Sequence, residues 1–332
     1  MNTKKLRAMV VEPTEDNVCT RFIQERSVDD LPEGDVLIRV KYSSLNYKDA
    51  LSATCNPGVT RNYPHTPGID AAGLVEESSH AEFKKGDAVI VTSYDLGMNT
   101  SGGFGQYVRV PAEWIVRLPE KLSLKESMVY GTAGFTAGMS VYEIVRNVET
   151  HAGDILVTGA SGGVGSISVA LLSRLGYSVV AMSGKPDSAT FLKQLGAKKV
   201  VDRSAVLDNS GKPLLKSSWA GAVDTVKGNI LAAVVKAMDV GGTVTCCGNV
   251  AGPNLGLTVF PFILRGVRLV GINSQTCPMA HRIKVWENLA GEWKIDLGKE
   301  LYQEISLDQL DENIDRILAG GQIGRVLVNL EQ

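Results

Sequence analysis

The stretch Ile155-Leu156-Val157-Thr158-Gly159-Ala160-Ser161-Gly162-Gly163-Val164-Gly165 is where residue types and spacing first point to chemistry. A β-branched run breaks into glycine and then into Ile167, Val169, Ala170, Leu171 and Leu172, which suit a helix. A strand, tight turn and helix start of this kind present backbone N–H groups at the positive end of a helix dipole, where a phosphate can approach them. Ser161, Gly162, Gly163 and Val164 are therefore expected to hold a dinucleotide, although the glycines follow G-x-G-x-x-G only loosely. The next candidate strand runs from Ser178 to Met182 and ends in Ser183-Gly184-Lys185. An NAD site normally has a carboxylate there for the ribose hydroxyls. None is present, and Lys185 offers a cation suited to a 2′-phosphate. Asp187 lies nearby but reads as the cap of a helix bearing Phe191 and Leu192. The pattern favours NADPH.

The elements that must position this loop alternate. Ile155 to Thr158, Ser178 to Met182, Val200 to Val201, Gly221 to Val226 and Thr243 to Cys247 read as strands, separated by helical segments at Ser166 to Leu175, Ala189 to Leu195 and Ile230 to Met238. Such alternation implies an α/β fold, a doubly wound parallel sheet whose ligands bind at the carboxyl ends of the strands. Gly248 and Asn249 follow one of those strands, and Asn273 and Ser274 follow the next, Val267 to Ile272, so all four are cofactor-binding candidates. Before this region the chain is richer in short strands, such as Val36 to Tyr42, Ala71 to Glu76 and Gly105 to Pro111. The pattern changes near Ser123, where Ser123 and Glu126 have capping-box spacing.

Composition narrows the ligand. The 332 residues suit about two domains, and a formal net charge of −2 shows no basic excess for nucleic acid or an anionic membrane surface. A small-molecule ligand is expected. No apolar run approaches the roughly 20 residues of a membrane helix, and no signal peptide is evident. The five cysteines contain no C-x-x-C pair, and their odd number reads as reduced thiols in a cytoplasmic protein. His65, His80, His151 and His281 are scattered and read as ordinary surface or loop residues.

Four motifs then occur in order: Gly68-Ile69-Asp70-Ala71-Ala72-Gly73-Leu74-Val75, Phe83-Lys84-Lys85-Gly86-Asp87, Gly131-Thr132-Ala133-Gly134-Phe135-Thr136-Ala137 and Ala160 to Gly165. In this order the chain resembles the medium-chain dehydrogenase/reductase superfamily. The stretch Tyr42 to Asp49 and the stretch Phe262 to Val267 are similar to its zinc-free quinone-oxidoreductase branch, in particular the acryloyl-CoA reductase group. The resemblance implies a mostly β, GroES-like catalytic domain at 1–125 and 268–332, and an inserted Rossmann domain at 126–267. It implies an active site in the crevice between them and a homodimer through the edge strand near Val267 to Ile272.

The resemblance also assigns residues. Zinc members carry a cysteine, a Gly-His-Glu and a further cysteine where this chain has Asn46, Gly68-Ile69-Asp70 and Thr132, so no metal is expected. Tyr47 matches a catalytic tyrosine of related enoyl-thioester reductases, and Asn46 would touch the nicotinamide or its ribose. Thr132 and Thr136 would line the cofactor cleft, and Arg203 would meet the adenine or the 2′-phosphate. Arg325, before the final strand, is expected to reach a cofactor phosphate. Arg282 reads as a solvated residue, with a CoA phosphate as its alternative role, and Cys277 as structural. Tyr94 departs from the pattern of acryloyl-CoA reductases.

Without a metal, hydride addition to an activated alkene leaves an enolate that hydrogen-bond donors must stabilise. The leading expectation is NADPH-dependent reduction of a short α,β-unsaturated acyl-CoA, with acryloyl-CoA favoured. The alternatives are reduction of a quinone or enone, and a non-catalytic NADPH-binding protein.

Overall fold

A computed structural model of the chain describes residues 4–16, 18–248 and 252–332. They fall into two compact units, Met1–Thr132 with Gln275–Ala290 and Leu297–Gln332, and Ala133–Ser274 with Gly291–Asp296.

The first unit opens with an antiparallel hairpin, β1 (Lys5–Pro13) on β2 (Cys19–Ser27). Next come β3 (Val36–Leu45), the short helix α1 (Tyr47–Ser52), β4 (Asp70–Ser78), β5 (Ala88–Thr92), β6 (Tyr107–Val110) and β7 (Ile115–Arg117). Strand β3 alternates where it meets solvent, with Arg39 exposed between buried Ile38 and Val40, and becomes wholly buried at Ser43, Ser44 and Leu45. Helix α2 (Leu124–Asn147) breaks its helical backbone at Gly131, whose φ is 53°.

The second unit is the alternating region. Its elements are β8 (Asp154–Val157), α3 (Gly163–Arg174), β9 (Ser178–Met182), α4 (Ser188–Gln194), β10 (Lys199–Val201), β11 (Trp219–Asp224), α5 (Gly228–Lys236), β12 (Met238–Cys246), α6 (Phe260–Arg265) and β13 (Arg268–Gly271). The six strands pair in the order β10-β9-β8-β11-β12-β13, all parallel. The order reverses between β8 and β11, the doubly wound topology in which right-handed crossovers place helices on both faces. Parallel strands buried on both faces need continuous apolar runs, as Ile155, Leu156 and Val157 provide in β8. Helix α5 closes part of this core with Ile230, Leu231, Val234 and Val235.

The chain then completes the first unit with α7 (Met279–Ala290), β14 (Tyr302–Ser306), α8 (Leu310–Leu318) and β15 (Arg325–Asn329). The resulting sheet runs β14-β15-β3-β4-β5-β7, with β6 also on β3. Its core includes Ile38, Leu45, Val91, Phe104 and Val328. Strand β15 lies antiparallel on β3, pairing Val326 with Leu45, which fixes the start of β15 beside the end of β3.

The compact units divide at 132 and 274, and β13 goes with the parallel sheet through its pairing with β12. Two local expectations change. Met238 begins β12 instead of ending a helix. Cys19 and Cys55, read as separate reduced thiols, are brought side by side with their Cα atoms 5.9 Å apart. That separation is ordinary for a disulfide, and folding creates it across a sequence separation of 36.

Candidate active site

The turn from β3 into α1 builds a buried polar site in the first unit. Asn46 caps α1 from an extended conformation, and its backbone N–H donates to Asp49 Oδ2 at 2.7 Å. The next side chain, Tyr47, is 41% exposed at the first helical position. Lys48 follows it and donates from Nζ to Gln275 Oε1 at 3.1 Å. Burial pushes the Lys48 ammonium below the usual lysine range, against the pull of Asp49.

Beneath this corner lies a charged network. The Asp70 carboxylate accepts from Ser44 Oγ at 2.6 Å, Asn46 Nδ2 at 2.7 Å, and the Thr132 hydroxyl at 2.6 Å. It also accepts the Thr132 backbone N–H, at 2.9 Å to Oδ1 and 3.0 Å to Oδ2. Arg325 enters from β15 and donates to Val129 O at 3.0 Å, Leu45 O at 3.3 Å, Asn46 Oδ1 at 3.3 Å and Ser44 Oγ at 2.8 Å. The break at Gly131 makes room, since a Cβ there would lie 2.4 Å from Ser44 Oγ and 2.5 Å from Asp70 Oδ2.

Both ends of the Asn46 amide are thus held, its oxygen by Arg325 and its nitrogen by Asp70 and Asp49. The amide is thereby fixed at the start of the helix that carries Tyr47. Arg325, expected to reach a cofactor phosphate, is only 3% exposed, and its guanidinium is engaged inside this network. Thr132 is likewise turned onto Asp70 and Ser93. Arg282 is buried, with its guanidinium on Thr92 and over the Tyr94 ring, so neither solvation nor a CoA phosphate describes it. Tyr94 in turn stacks on Trp114. His65, read as a surface or loop residue, lies in the loop before β4 but is buried, and its backbone pairs with Val11.

Asp49 is fully buried and accepts from the Ile69 N–H at 2.7 Å. Burial, and then the charge of Asp70, push its carboxyl up to about 7, against the hydrogen bonds from Ile69 and Asn46. A raised carboxyl stabilises the fold fully below its unfolded value, and the contribution is lost as pH rises through the folded value. Stability is therefore expected to fall from about pH 4 toward about pH 7 and to flatten above it. Denaturant melts across this window, compared with Asp49→Asn, read the slope. An identical slope in the variant would remove Asp49 as its source.

In the second unit the glycine turn leads from β8 directly into α3. Gly162 caps α3 without a side-chain cap, so the first N–H groups of the helix face the turn. Close packing requires glycine behind them, because a Cβ on Gly165 would lie 2.3 Å from Gly159 O. Ser183 Oγ donates to Ser161 Oγ at 3.1 Å, and Ser188 Oγ to Ser183 Oγ at 2.8 Å, linking the turn to the end of β9. Arg203 folds over Gly184, where a Cβ would come within 2.6 Å of its Nε. Burial, and then the nearby Arg203 charge, lower the Lys185 ammonium. Two cations thus stand close together at one strand end.

Val164 lies in the first turn of α3. Gly248 follows β12 with a φ of 73°, and Asn273 and Ser274 follow β13, so these also sit at carboxyl ends of strands. Thr136 is buried within α2. Asn249 lies outside the described residues. Sequence reasoning missed Ser44, Lys48 and Asp49 as parts of the site, although Asn46 and Asp49 have the three-residue capping-box spacing.

Two family models match the chain: the alcohol dehydrogenase GroES-like domain over residues 32–120 and the zinc-binding dehydrogenase over residues 163–291. The chain is 41% identical to the acrylyl-CoA reductase AcuI of Ruegeria pomeroyi, over 97% of this chain and 98% of that protein. It is 45% identical to YhfP of Bacillus subtilis, which carries a provisional quinone-oxidoreductase name, over 98% of each chain. YhfP has been solved with NAD bound and superposes with a TM-score of 0.95, over 99% of this chain and 100% of that one. The YhdH structure of Escherichia coli K-12, with NADPH bound, is 41% identical and superposes with a TM-score of 0.93, over 97% of this chain and 99% of that one. The chain belongs to the medium-chain dehydrogenase/reductase superfamily of oxidoreductases, in its quinone-oxidoreductase-like branch with the acryloyl-CoA reductase group.

The zinc in one family name does not fit this donor set. At the expected positions stand the Asn46 amide, Ile69 and the Thr132 hydroxyl, while the adjacent Asp70 already accepts from Ser44, Asn46 and Thr132 and the Arg325 guanidinium donates into the same network. A zinc site needs thiolate, imidazole or free carboxylate lone pairs, and a fixed guanidinium opposes a cation.

Proposed function

We propose that the chain is an NADPH-dependent reductase of short α,β-unsaturated acyl-CoA thioesters, with acryloyl-CoA its favoured substrate. The observation that carries this reading is Tyr47, a phenol 41% exposed on a helix start locked from beneath by Asn46, Asp49, Asp70 and Arg325. The 41% identity to an acrylyl-CoA reductase supports it.

NADPH, when bound, supplies a hydride to the β-carbon. The electron pair of the alkene moves toward the thioester carbonyl, and the Tyr47 hydroxyl donates to the enolate oxygen that results. The neighbouring Lys48 adds positive charge to the same corner, and protonation of the α-carbon completes the reduction. Asn46 holds the helix start, and Asp70 with Arg325 holds Asn46. Lys185 and Arg203 receive the 2′-phosphate, and Ser161 to Val164 receive the pyrophosphate. Thr136, Gly248, Asn249, Asn273 and Ser274 belong to the same cofactor reading.

Tyr47→Phe is expected to lower kcat by about 10²-fold, the range for loss of one oxyanion donor. An unchanged kcat would remove that role. The acceptor is tested by following NADPH consumption with acryloyl-CoA, crotonyl-CoA, a benzoquinone and an enone. The highest kcat/KM is expected with acryloyl-CoA. Preference for the quinone favours the reading suggested by YhfP's name, and tight NADPH binding without turnover favours a binding protein. The proposal includes a cytoplasmic homodimer that pairs through the β13 edge, where Val259, Ile263 and Leu264 are exposed beside the strand.

A further inference from the structure

The Cys19–Cys55 pair lies at the far end of the helix that begins with Tyr47. Cys19 is on β2 opposite Pro13, near the turn of the β1–β2 hairpin. Cys55 lies in the turn that closes α1, where Ala53 N–H donates to Asp49 O at 2.8 Å, Cys55 N–H to Ser52 O at 3.2 Å and Asn56 N–H to Leu51 O at 3.0 Å. Cys55 holds a left-handed φ of 56°, a conformation that costs a residue with a side chain and must be held by its surroundings. Both cysteines are half-buried, within reach of a small thiol or disulfide.

The other three cysteines differ. Cys247 and Cys277 are buried and Cys246 is half-buried. Burial raises all three thiols, that of Cys247 to about 12, which suppresses the reactive thiolate. The pair thus combines access and proximity, and it joins two segments of the first unit that are remote in sequence.

We propose that Cys19 and Cys55 form a reversible redox cross-link that sets how firmly α1, and with it the Asn46–Tyr47 corner, is held. The cross-link itself stands apart from the acyl-CoA reading, and its control of turnover rests on that reading. A low-molecular-weight disulfide serves as oxidant. One cysteine thiolate attacks it, forming a mixed disulfide and releasing one small thiol. The second thiolate then displaces the other small thiol, so two protein thiols become one disulfide while the reagent is reduced to two thiols. Excess small thiol reverses both steps. Oxidised, the link fastens the turn after α1 to the hairpin. Reduced, hydrogen bonds and packing alone hold it.

The full-length protein is equilibrated with oxidised or reduced glutathione, then read by thiol titration after denaturation, peptide mapping and amide hydrogen exchange. Five titratable thiols are expected when reduced and three when oxidised, with one cross-linked peptide joining Cys19 to Cys55. Exchange of the amides at 50–56 is expected to slow about tenfold or more on oxidation, and not in Cys19→Ser or Cys55→Ser. Five thiols after exhaustive oxidation, a link through another cysteine, or equal exchange in both states would overturn the proposal. These readouts do not involve an acceptor substrate. Failure of the acyl-CoA reading leaves them unchanged, and their failure leaves the acceptor assay unchanged.

Discussion

Arg325→Met is expected to destabilise the protein by about 3–5 kcal/mol, the usual cost of removing one partner from a buried charged network. The guanidinium is 3% exposed, and burial works against its charge while Asp70 and Asp49 favour it. Its removal leaves Asp70 among neutral donors and leaves Val129 O, Leu45 O and Asn46 Oδ1 without their donor. The thermal midpoint should fall by roughly 10 °C. Arg325→Lys should recover little, because an ammonium cannot span four acceptors arranged for a planar fork. NADPH affinity of the folded variant should stay within about threefold of the parent, in contrast to the loss of about 10-fold or more expected had Arg325 held a phosphate. Calorimetry and nucleotide titration read the two arms. A stable variant with weakened NADPH binding would return Arg325 to the cofactor.

The second large effect is on nucleotide choice. Replacing Lys185 and Arg203 together by alanine should weaken NADPH binding by about 10²–10⁴-fold, taking each charge-assisted contact as about 1.5–3 kcal/mol. NADH binding should change by less than about threefold, since the α3 N-terminus and the serine chain from Ser161 to Ser188 are untouched. Bulk electrostatics alone would weaken both nucleotides and would diminish with salt. Isothermal titration with each nucleotide separates the cases. Equal losses would mean that the two cations do not read the 2′-phosphate. The NAD bound to YhfP makes this comparison informative, because a relative at 45% identity has been seen with the other nucleotide.

The second unit was legible from its sequence for a physical reason. Parallel strands buried on both faces must be apolar runs, and a phosphate turn must use glycine, so Ile155 to Gly165 and Ser183 to Lys185 announce themselves locally. Folding adds Arg203, which lies over Gly184 from beyond β10. The corner at Asn46 was legible only in part. Tyr47 could be singled out by its type and place, but the pedestal beneath it joins β3, β4, α2 and β15, and no local spacing reveals that Ser44, Asp70, Gly131 and Arg325 meet. Arg325 was placed before the final strand and read toward a phosphate. It instead begins β15, buried, with its guanidinium on Val129, Leu45, Asn46 and Ser44. Cys19 and Cys55 were missed for the same reason, since pairing across a hairpin and a helix turn leaves no spacing signature.

The most direct test of the proposed activity is the fate of the hydride. Acryloyl-CoA is reduced with NADPH deuterated at the transferable position of the nicotinamide, and the product is read by mass spectrometry and NMR. The account predicts propionyl-CoA with deuterium on the β-carbon and a solvent-derived proton on the α-carbon. Oxidation of NADPH with no label in the acyl chain, or label on the α-carbon, would contradict it.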